Sequence, residues 1–111
     1  MTDRELLELA AKAAGNGAEW YASLGMGVET GGVVPRLWNP LDNDADALRL
    51  AVKLDLEIYQ GVNNELSCAH AGYAVLNRIL YCIEVHEGSG KEAATRRAIV
   101  RAAAEIGRAM P

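Results

Sequence analysis

The chain of 111 residues is 50% hydrophobic and 23% charged, a composition typical of a single folded domain (residues 1–111) rather than of a disordered segment. Its formal net charge of -4 argues against binding to duplex DNA, which normally requires a basic surface. No apolar run approaches the ~20 residues that span a bilayer, and the charged N-terminus has no signal-peptide core, so we expect a cytoplasmic protein with reduced cysteines and no membrane partner.

The first predicted element is a helix that begins at a capping box. Thr2 and Glu5 have the spacing at which each side chain accepts a hydrogen bond from the other residue's backbone N–H. Gly15 supplies the stop. Between these signals, apolar residues recur with helical spacing at Leu6, Leu9, Ala10 and Ala13.

Residues 16–38 are rich in glycine and hold short apolar runs between turn signals. Two short strands joined by a turn at Gly31–Gly32 fit this pattern best, and a long glycine loop is the alternative. Pro40 ends any strand, and a second helix is predicted to follow, ending near Lys53. Its candidate N-caps are Asp42, Asn43 and Asp44. Its predicted apolar stripe consists of Leu41, Ala45, Leu48, Ala51 and Val52.

Three strands are predicted after the second helix. Residues 54–59 alternate between apolar and polar, as a half-buried strand does, and residues 61–64 form a turn. Residues 65–71 are the returning strand and residues 79–86 the third strand. Residues 72–78 are compatible with a loop, a strand or a helical turn. One face of the third strand carries Ile79, Tyr81, Ile83 and Val85.

The last element is a long amphipathic helix. Ser89 and Glu92 form a second capping box, and the helical pattern continues to about Ala109. The apolar side of this helix carries Ile99, Ala103, Ile106 and Met110. The element order α-ββ-α-βββ-α predicts an α+β sandwich in which three helices pack on a small, mainly antiparallel sheet.

The sharpest candidate site consists of Cys68, His70, Cys82 and His86. Both cysteine–histidine pairs have even spacing, so on strands each pair would point to one face. A hairpin centred on residue 75 would place Cys68 directly opposite Cys82, and four such ligands could hold a tetrahedral zinc ion. The alternative is two buried thiols and two surface histidines without metal, because the tight C-x2-C spacing of zinc motifs is absent.

Three further patterns lack residues that their chemistry requires. Residues 42–46 (DNDAD) begin like a calcium loop, but Ala47 and Lys53 occupy the positions that need Gly and Glu. The glycines between positions 25 and 32 precede neither a Gly-Lys-Ser/Thr motif nor a helix, so they favour a turn over a phosphate loop. A cysteine–histidine pair has no flanking oxyanion-hole motif, so we expect no catalytic residue and no cofactor.

The last helix carries candidate binding residues at Arg96, Arg97, Arg101 and Arg108. Arg97 and Arg101 are one turn apart and Arg108 lies two turns further on, so they would form a basic stripe able to grip phosphates or carboxylates. Trp38 is a further candidate contact residue. The alternative is pairing within the chain, because residues 1–60 hold 5 Lys/Arg against 10 Asp/Glu.

Three blocks of the sequence resemble the phage ABA-sandwich domain family of small proteins from tailed phages and prophages. The blocks are residues 1–15 (MTDRELLELAAKAAG), residues 38–41 (WNPL) with 44–54 (DADALRLAVKL), and residues 94–107 (ATRRAIVRAAAEIG). The resemblance implies an α/β/α-like sandwich and a phage or prophage origin, but no reaction, cofactor or catalytic residue. Residues 60–88 depart from the family pattern, so a function peculiar to this chain is expected there.

The resemblance and the lack of a catalytic motif favour a non-catalytic phage accessory protein that binds a host protein or complex. Host-defence machinery, such as a CRISPR effector, is a natural target, and the cytoplasm of the infected bacterium is the expected location. A homodimer is compatible with exposed sheet edges. A second hypothesis is a small-ligand or nucleotide-binding protein that uses the arginine stripe and the glycine-rich hairpin. A third is a zinc module built from the Cys/His group.

Overall fold

The computed structural model of the chain describes residues 1–63, 66–76, 78–85 and 90–111. Three helices and two three-stranded antiparallel sheets follow one another in the order α-βββ-α-βββ-α, which confirms the predicted α+β class. The helices are α1 (Asp3–Ala14), α2 (Asp44–Lys53) and α3 (Lys91–Ala109). The first sheet contains β1 (Glu19–Tyr21), β2 (Gly25–Val28) and β3 (Arg36–Leu37), and the second contains β4 (Glu57–Asn63), β5 (Leu66–Val75) and β6 (Arg78–Val85).

The ends of α1 follow the predicted signals. The Thr2 hydroxyl accepts a hydrogen bond from the Glu5 N–H at 3.1 Å, and the Glu5 carboxylate accepts one from the Thr2 N–H at 3.1 Å. Gly15 caps the other end with a φ of 63°, a left-handed conformation that glycine adopts without steric cost. The capping box and the glycine stop are therefore confirmed.

The ends of α2 were predicted correctly, but its buried stripe was not. Asn43 is the N-cap, and its side chain accepts a hydrogen bond from the Asp46 N–H. The buried residues are Asp46, Ala47, Leu50 and Ala51. Leu48 and Val52 are 62% and 66% exposed, although both were assigned to the apolar stripe. The helix is rotated because the buried Asp46 carboxylate accepts from the Asn39 N–H and pairs with two arginines.

The first sheet has one strand more than predicted. The two expected strands correspond to β2 and β3, and Gly31–Gly32 lies in their connection. The additional strand β1 pairs with β2 through a connection at residues 22–24 that contains no glycine. This hairpin therefore lacks the turn residues on which the prediction relied.

The second sheet is an antiparallel meander in the order β4-β5-β6. β4 begins at Glu57, after a turn in which Asp55 has a φ of 54°, and it continues through residues 61–63, where a turn was predicted. Residue 64 of that predicted turn lies outside the described residues. β5 extends to Val75, so residues 72–75 of the undecided segment are strand.

α3 connects the parts of the fold. It packs against β5 and β6 and also against α1 and α2, and one hydrophobic cluster runs through all three helices and the second sheet. Ile99 and Ala103 are buried as predicted, whereas Met110 is 40% exposed. The N-cap is Gly90, and Ser89 of the predicted capping box lies outside the described residues. No helix in the described ranges is long and apolar enough to cross a membrane.

Candidate functional site

The predicted pairing of Cys68 with Cys82 is wrong by three residues. Cys68 lies opposite Val85, and Cys82 lies opposite Ala71, because β5 continues to Val75 before the chain turns. Directly opposed residues of an antiparallel pair point to the same face, and successive residues alternate. Cys82 therefore shares a face with Ala71, while Cys68 and His70 point to the other face.

This register separates the proposed zinc ligands. Cys82 belongs to the hydrophobic core beneath α3, on what we call the inner face of the second sheet. Cys68 and His70 are also buried, but on the opposite face. Among the described residues, no three Cys, His, Asp or Glu side chains cluster closely enough to hold a metal ion. His86 lies outside those residues, and within them Cys82 is on the opposite face of the sheet from Cys68 and His70.

The opposite side of the second sheet is apolar and open to solvent. We call it the outer face and define it by Tyr59, His70, Ile79, Tyr81, Ile83 and Val85. Tyr59, Ile79, Tyr81 and Val85 are 43%, 45%, 37% and 47% exposed, respectively. α3 covers the inner face, and within the described part of the chain no helix packs on these side chains, so they present an apolar surface.

Aromatic rings on the outer face lie close to the backbone of two glycines. The ring of His70 stacks on Tyr59 with centroids 4.4 Å apart, and a Cβ at Gly61 would lie 2.8 Å from His70 Nε2. Tyr81 covers Gly72 in the same way, where a Cβ would lie 2.5 Å from its ring. A side chain at either glycine would displace the ring, so the two glycines shape this surface.

Hydrogen bonding fixes Tyr81, whereas His70 has no hydrogen-bond partner among the described residues. The Tyr81 hydroxyl donates to the Glu57 carboxylate at 3.2 Å, and partial burial together with this hydrogen bond raises the pKa of Tyr81. His70 is only 7% exposed, and neither ring nitrogen has a hydrogen-bond partner among the described residues. Buried nitrogens normally find partners, so His70 is an unsatisfied polar group within an apolar surface.

Arg96, one of the predicted binding residues, makes its contacts within the chain. Its Nε donates to the Leu41 carbonyl oxygen at 2.8 Å, and its Nη1 lies 2.6 Å from the Asp44 carboxylate. The side chain is 18% exposed. Arg96 thus ties α3 to the start of α2.

Arg97 and Arg101 meet around one acceptor. The Glu84 carboxylate lies 3.3 Å from Arg97 Nε and 3.3 Å from Arg101 Nη1, and Arg97 also pairs with Asp3 at 3.0 Å. A cavity of about 310 Å³ beside them is lined by Glu84 and Glu105 as well as by the two arginines. The carboxylates balance the guanidinium charges, so this cavity offers an incoming anion little net attraction.

The two remaining predicted binding residues lie elsewhere. Arg108 pairs with Glu105 on the same helix at 2.9 Å and is 61% exposed. Trp38 is buried in the core at 5% exposure. Of the predicted binding residues, the structure brings Arg97 and Arg101 together around Glu84 and places Arg96, Arg108 and Trp38 elsewhere.

Sequence reasoning missed a second group of cations. Arg36, Arg49 and Lys53 line a cavity of about 140 Å³ together with Trp38 and the buried Asp46. The available signal was the spacing of Arg49 and Lys53, which places them one turn apart on α2. Arg36 comes from β3, so only the fold brings it to the same place.

Comparison of the chain with protein-family models, with curated proteins and with solved structures finds no match.

Proposed function

We propose that the chain is a non-catalytic accessory protein of a phage or prophage that binds a host protein through the outer face. The observation that supports this proposal is an apolar sheet surface with four partly exposed side chains that the chain's own helices leave uncovered. Monomeric proteins seldom expose contiguous apolar patches without a binding role.

The chemistry of the outer face favours a protein as its partner. Its tyrosines and branched aliphatic side chains are residue types that bind well in protein interfaces, where aromatic rings contribute large contact areas at low entropic cost. The alternating positions that make up this face include Glu57 and, among the described residues, no Lys or Arg. A nucleic acid or an anionic lipid surface would require cations there.

The biological role in this proposal comes from the family resemblance. A small phage protein without catalytic chemistry acts by occupying a surface that the host needs, and a defence complex such as a CRISPR effector fits that role. The cytoplasm of the infected bacterium is then the site of action. This step is an association between family and role, and the outer face supplies the physical part of the proposal.

The test compares two double variants with equal changes in charge. Ile79→Glu with Val85→Glu places two carboxylates on the outer face, whereas Val33→Glu with Leu48→Glu places them on side chains that are 103% and 62% exposed elsewhere. Each tagged protein is used to capture partners from bacterial lysate, and the affinity for the captured protein is measured with purified components. We expect the outer-face variant to bind at least ~10-fold more weakly than wild type and the control to bind equally.

A second arm measures phage plating on bacteria that carry a CRISPR system, with and without the expressed chain. Protection of the phage by wild type and by the control, but not by the outer-face variant, would support the counter-defence role. Equal capture by both variants would overturn the assignment of the outer face. Absence of any specifically captured host protein would overturn the proposed function.

A further inference from the structure

A small cationic cavity lies where the C-terminal ends of α1 and α2 approach β3. Its volume is about 140 Å³, and Ala14, Asn16 and Leu50 form part of its wall. Its charged lining consists of Arg36, Asp46, Arg49 and Lys53. This volume is several times the roughly 30 Å³ that one water molecule takes in the liquid, so the cavity has room for a small anion.

The Asp46 carboxylate of this cavity pairs with only some of the N–H donors of the neighbouring arginines. Asp46 Oδ1 lies 3.8 Å from Arg36 Nη1 and 3.4 Å from Arg49 Nη1, while Oδ2 accepts from the Asn39 N–H at 3.0 Å. A guanidinium has five N–H donors, so both arginines keep most of theirs available. Their side chains are 55% and 69% exposed, which leaves them free to turn toward a ligand.

Lys53 and Trp38 complete the lining of the cavity. The Lys53 ammonium makes no ion pair or hydrogen bond with any described residue. Trp38 is 5% exposed, so its ring forms a largely buried part of the wall. The cavity therefore combines three cations with an indole ring.

The local charge favours an anion. Arg36, Arg49 and Lys53 carry three positive charges against one negative charge on Asp46, which leaves +2. The carbonyl ends of α1 and α2 each contribute about half a negative charge. The sum stays positive, whereas the cavity at Arg97 and Arg101 is neutralised by Glu84 and Glu105.

We propose that this cavity binds a phosphate group, held by Arg36, Arg49 and Lys53 beside the Trp38 ring. Guanidinium groups pair with phosphate oxygens through two parallel hydrogen bonds, and a lysine adds a point charge. Asp46 holds the two guanidiniums beside the cavity without occupying their outer N–H groups. The site is separate from the outer face, so this proposal does not depend on the proposed function.

Trp38 also supplies the signal for the experiment. The chain has two tryptophans, so Trp20→Phe leaves Trp38 as the sole indole emitter. In that background, fluorescence is titrated with inorganic phosphate, adenosine 5′-monophosphate and adenosine at constant ionic strength, because salt screens exposed charges. We expect saturable binding of the two phosphate-bearing probes and none of adenosine. Tighter binding of the nucleotide would identify a phosphate ester as the ligand, and equal binding would identify free phosphate.

Variants locate the site. Arg49→Gln and Lys53→Gln should each weaken phosphate binding by ~10-fold or more, whereas Arg4→Gln, which removes a guanidinium that is 55% exposed elsewhere, should leave it unchanged. Circular dichroism confirms that each variant is folded. Absence of a saturable signal at millimolar phosphate would overturn the proposal. So would equal affinity in all three variants, since that result places the anion elsewhere.

Discussion

His70 is 7% exposed, and its two ring nitrogens have no hydrogen-bond partner among the described residues. Burying a polar group without a partner costs roughly 1–3 kcal/mol. The chain retains this group in the outer face, where its ring stacks on Tyr59.

His70→Phe should therefore stabilise the free protein. Phenylalanine keeps the ring that stacks on Tyr59 and removes the two unpaired nitrogens. We expect the free energy of unfolding in urea to rise by about 1 kcal/mol. Tyr59→Leu is the control, because it removes the stacked ring and should lower stability. A fall in stability on His70→Phe would show that the nitrogens are already satisfied in the free protein.

Cys82 lies beneath α3, and burial raises the pKa of its thiol, while the Arg101 charge acts in the opposite direction. The thiolate is the reactive form, so native Cys82 should react slowly at neutral pH. The folded state prefers the protonated thiol. Its contribution to stability is therefore complete below the thiol pKa of the unfolded chain and is lost as the pH rises toward the higher folded value.

Alkylation in a Cys68→Ala background measures this effect on Cys82 alone. We expect the iodoacetamide reaction of the native protein at pH 7 to be slower than in urea, and to accelerate only above the ordinary thiol pKa of about 8.5. Equal rates in the native and unfolded states would contradict the burial of Cys82.

At the scale of the elements, the closest helix contact is between α1 and α3 at Gly107. A Cβ at this position would collide with the Leu9 carbonyl group on α1. The backbone cannot yield as a flexible side chain could, so the helices would have to separate. Glycine at position 107 therefore sets how closely α3 packs on α1.

Gly107→Ala should lower the free energy of unfolding by about 2 kcal/mol or more, the range of overpacked cores. The matched control is Gly32→Ala in the β2–β3 connection, where a Cβ would meet only Thr30 Oγ1 at 3.4 Å. The control should stay within about 0.5 kcal/mol of wild type in the same urea titration. A neutral Gly107→Ala variant would mean that the two helices are not packed this closely.

The ends of the helices were predicted from the sequence more accurately than the faces that the helices and strands bury. Thr2, Glu5, Gly15 and Asn43 are local signals, and the helix ends that they mark are where they were predicted. The face that α2 buries depends on Asp46, whose partners Arg36 and Asn39 come from outside the helix. Whether Cys68 and Cys82 share a face of the sheet depends on where β5 ends. The register differs from the predicted one by three residues, and a shift by an odd number moves one cysteine to the other face.

At the scale of the whole molecule, one hydrophobic cluster joins the core of the second sheet to Met26 and Trp38 of the first-sheet region. α3 contacts the second sheet on one side and α1 on the other. Neither sheet has a core of its own. We therefore expect the chain to unfold as one cooperative unit.

The chain carries natural probes for this expectation. Trp20 and Trp38 report on the first sheet, and the thiols of Cys68 and Cys82 report on the second. Tryptophan fluorescence and pulsed thiol alkylation across a urea titration should give coincident transitions. Two separated midpoints would show that the sheets unfold independently and would contradict a single domain.

The α+β class, the three helices and most of their ends could be predicted from the sequence, because these depend on periodicity and on capping residues within a few positions of one another. Which side chains share a surface was set by the tertiary structure. It placed Cys82 on the inner face and His70 on the outer face, paired each arginine of α3 with a carboxylate, and brought Arg36 to Arg49 and Lys53. These outcomes depend on strand register and helix rotation, which are set by contacts between residues far apart in the chain.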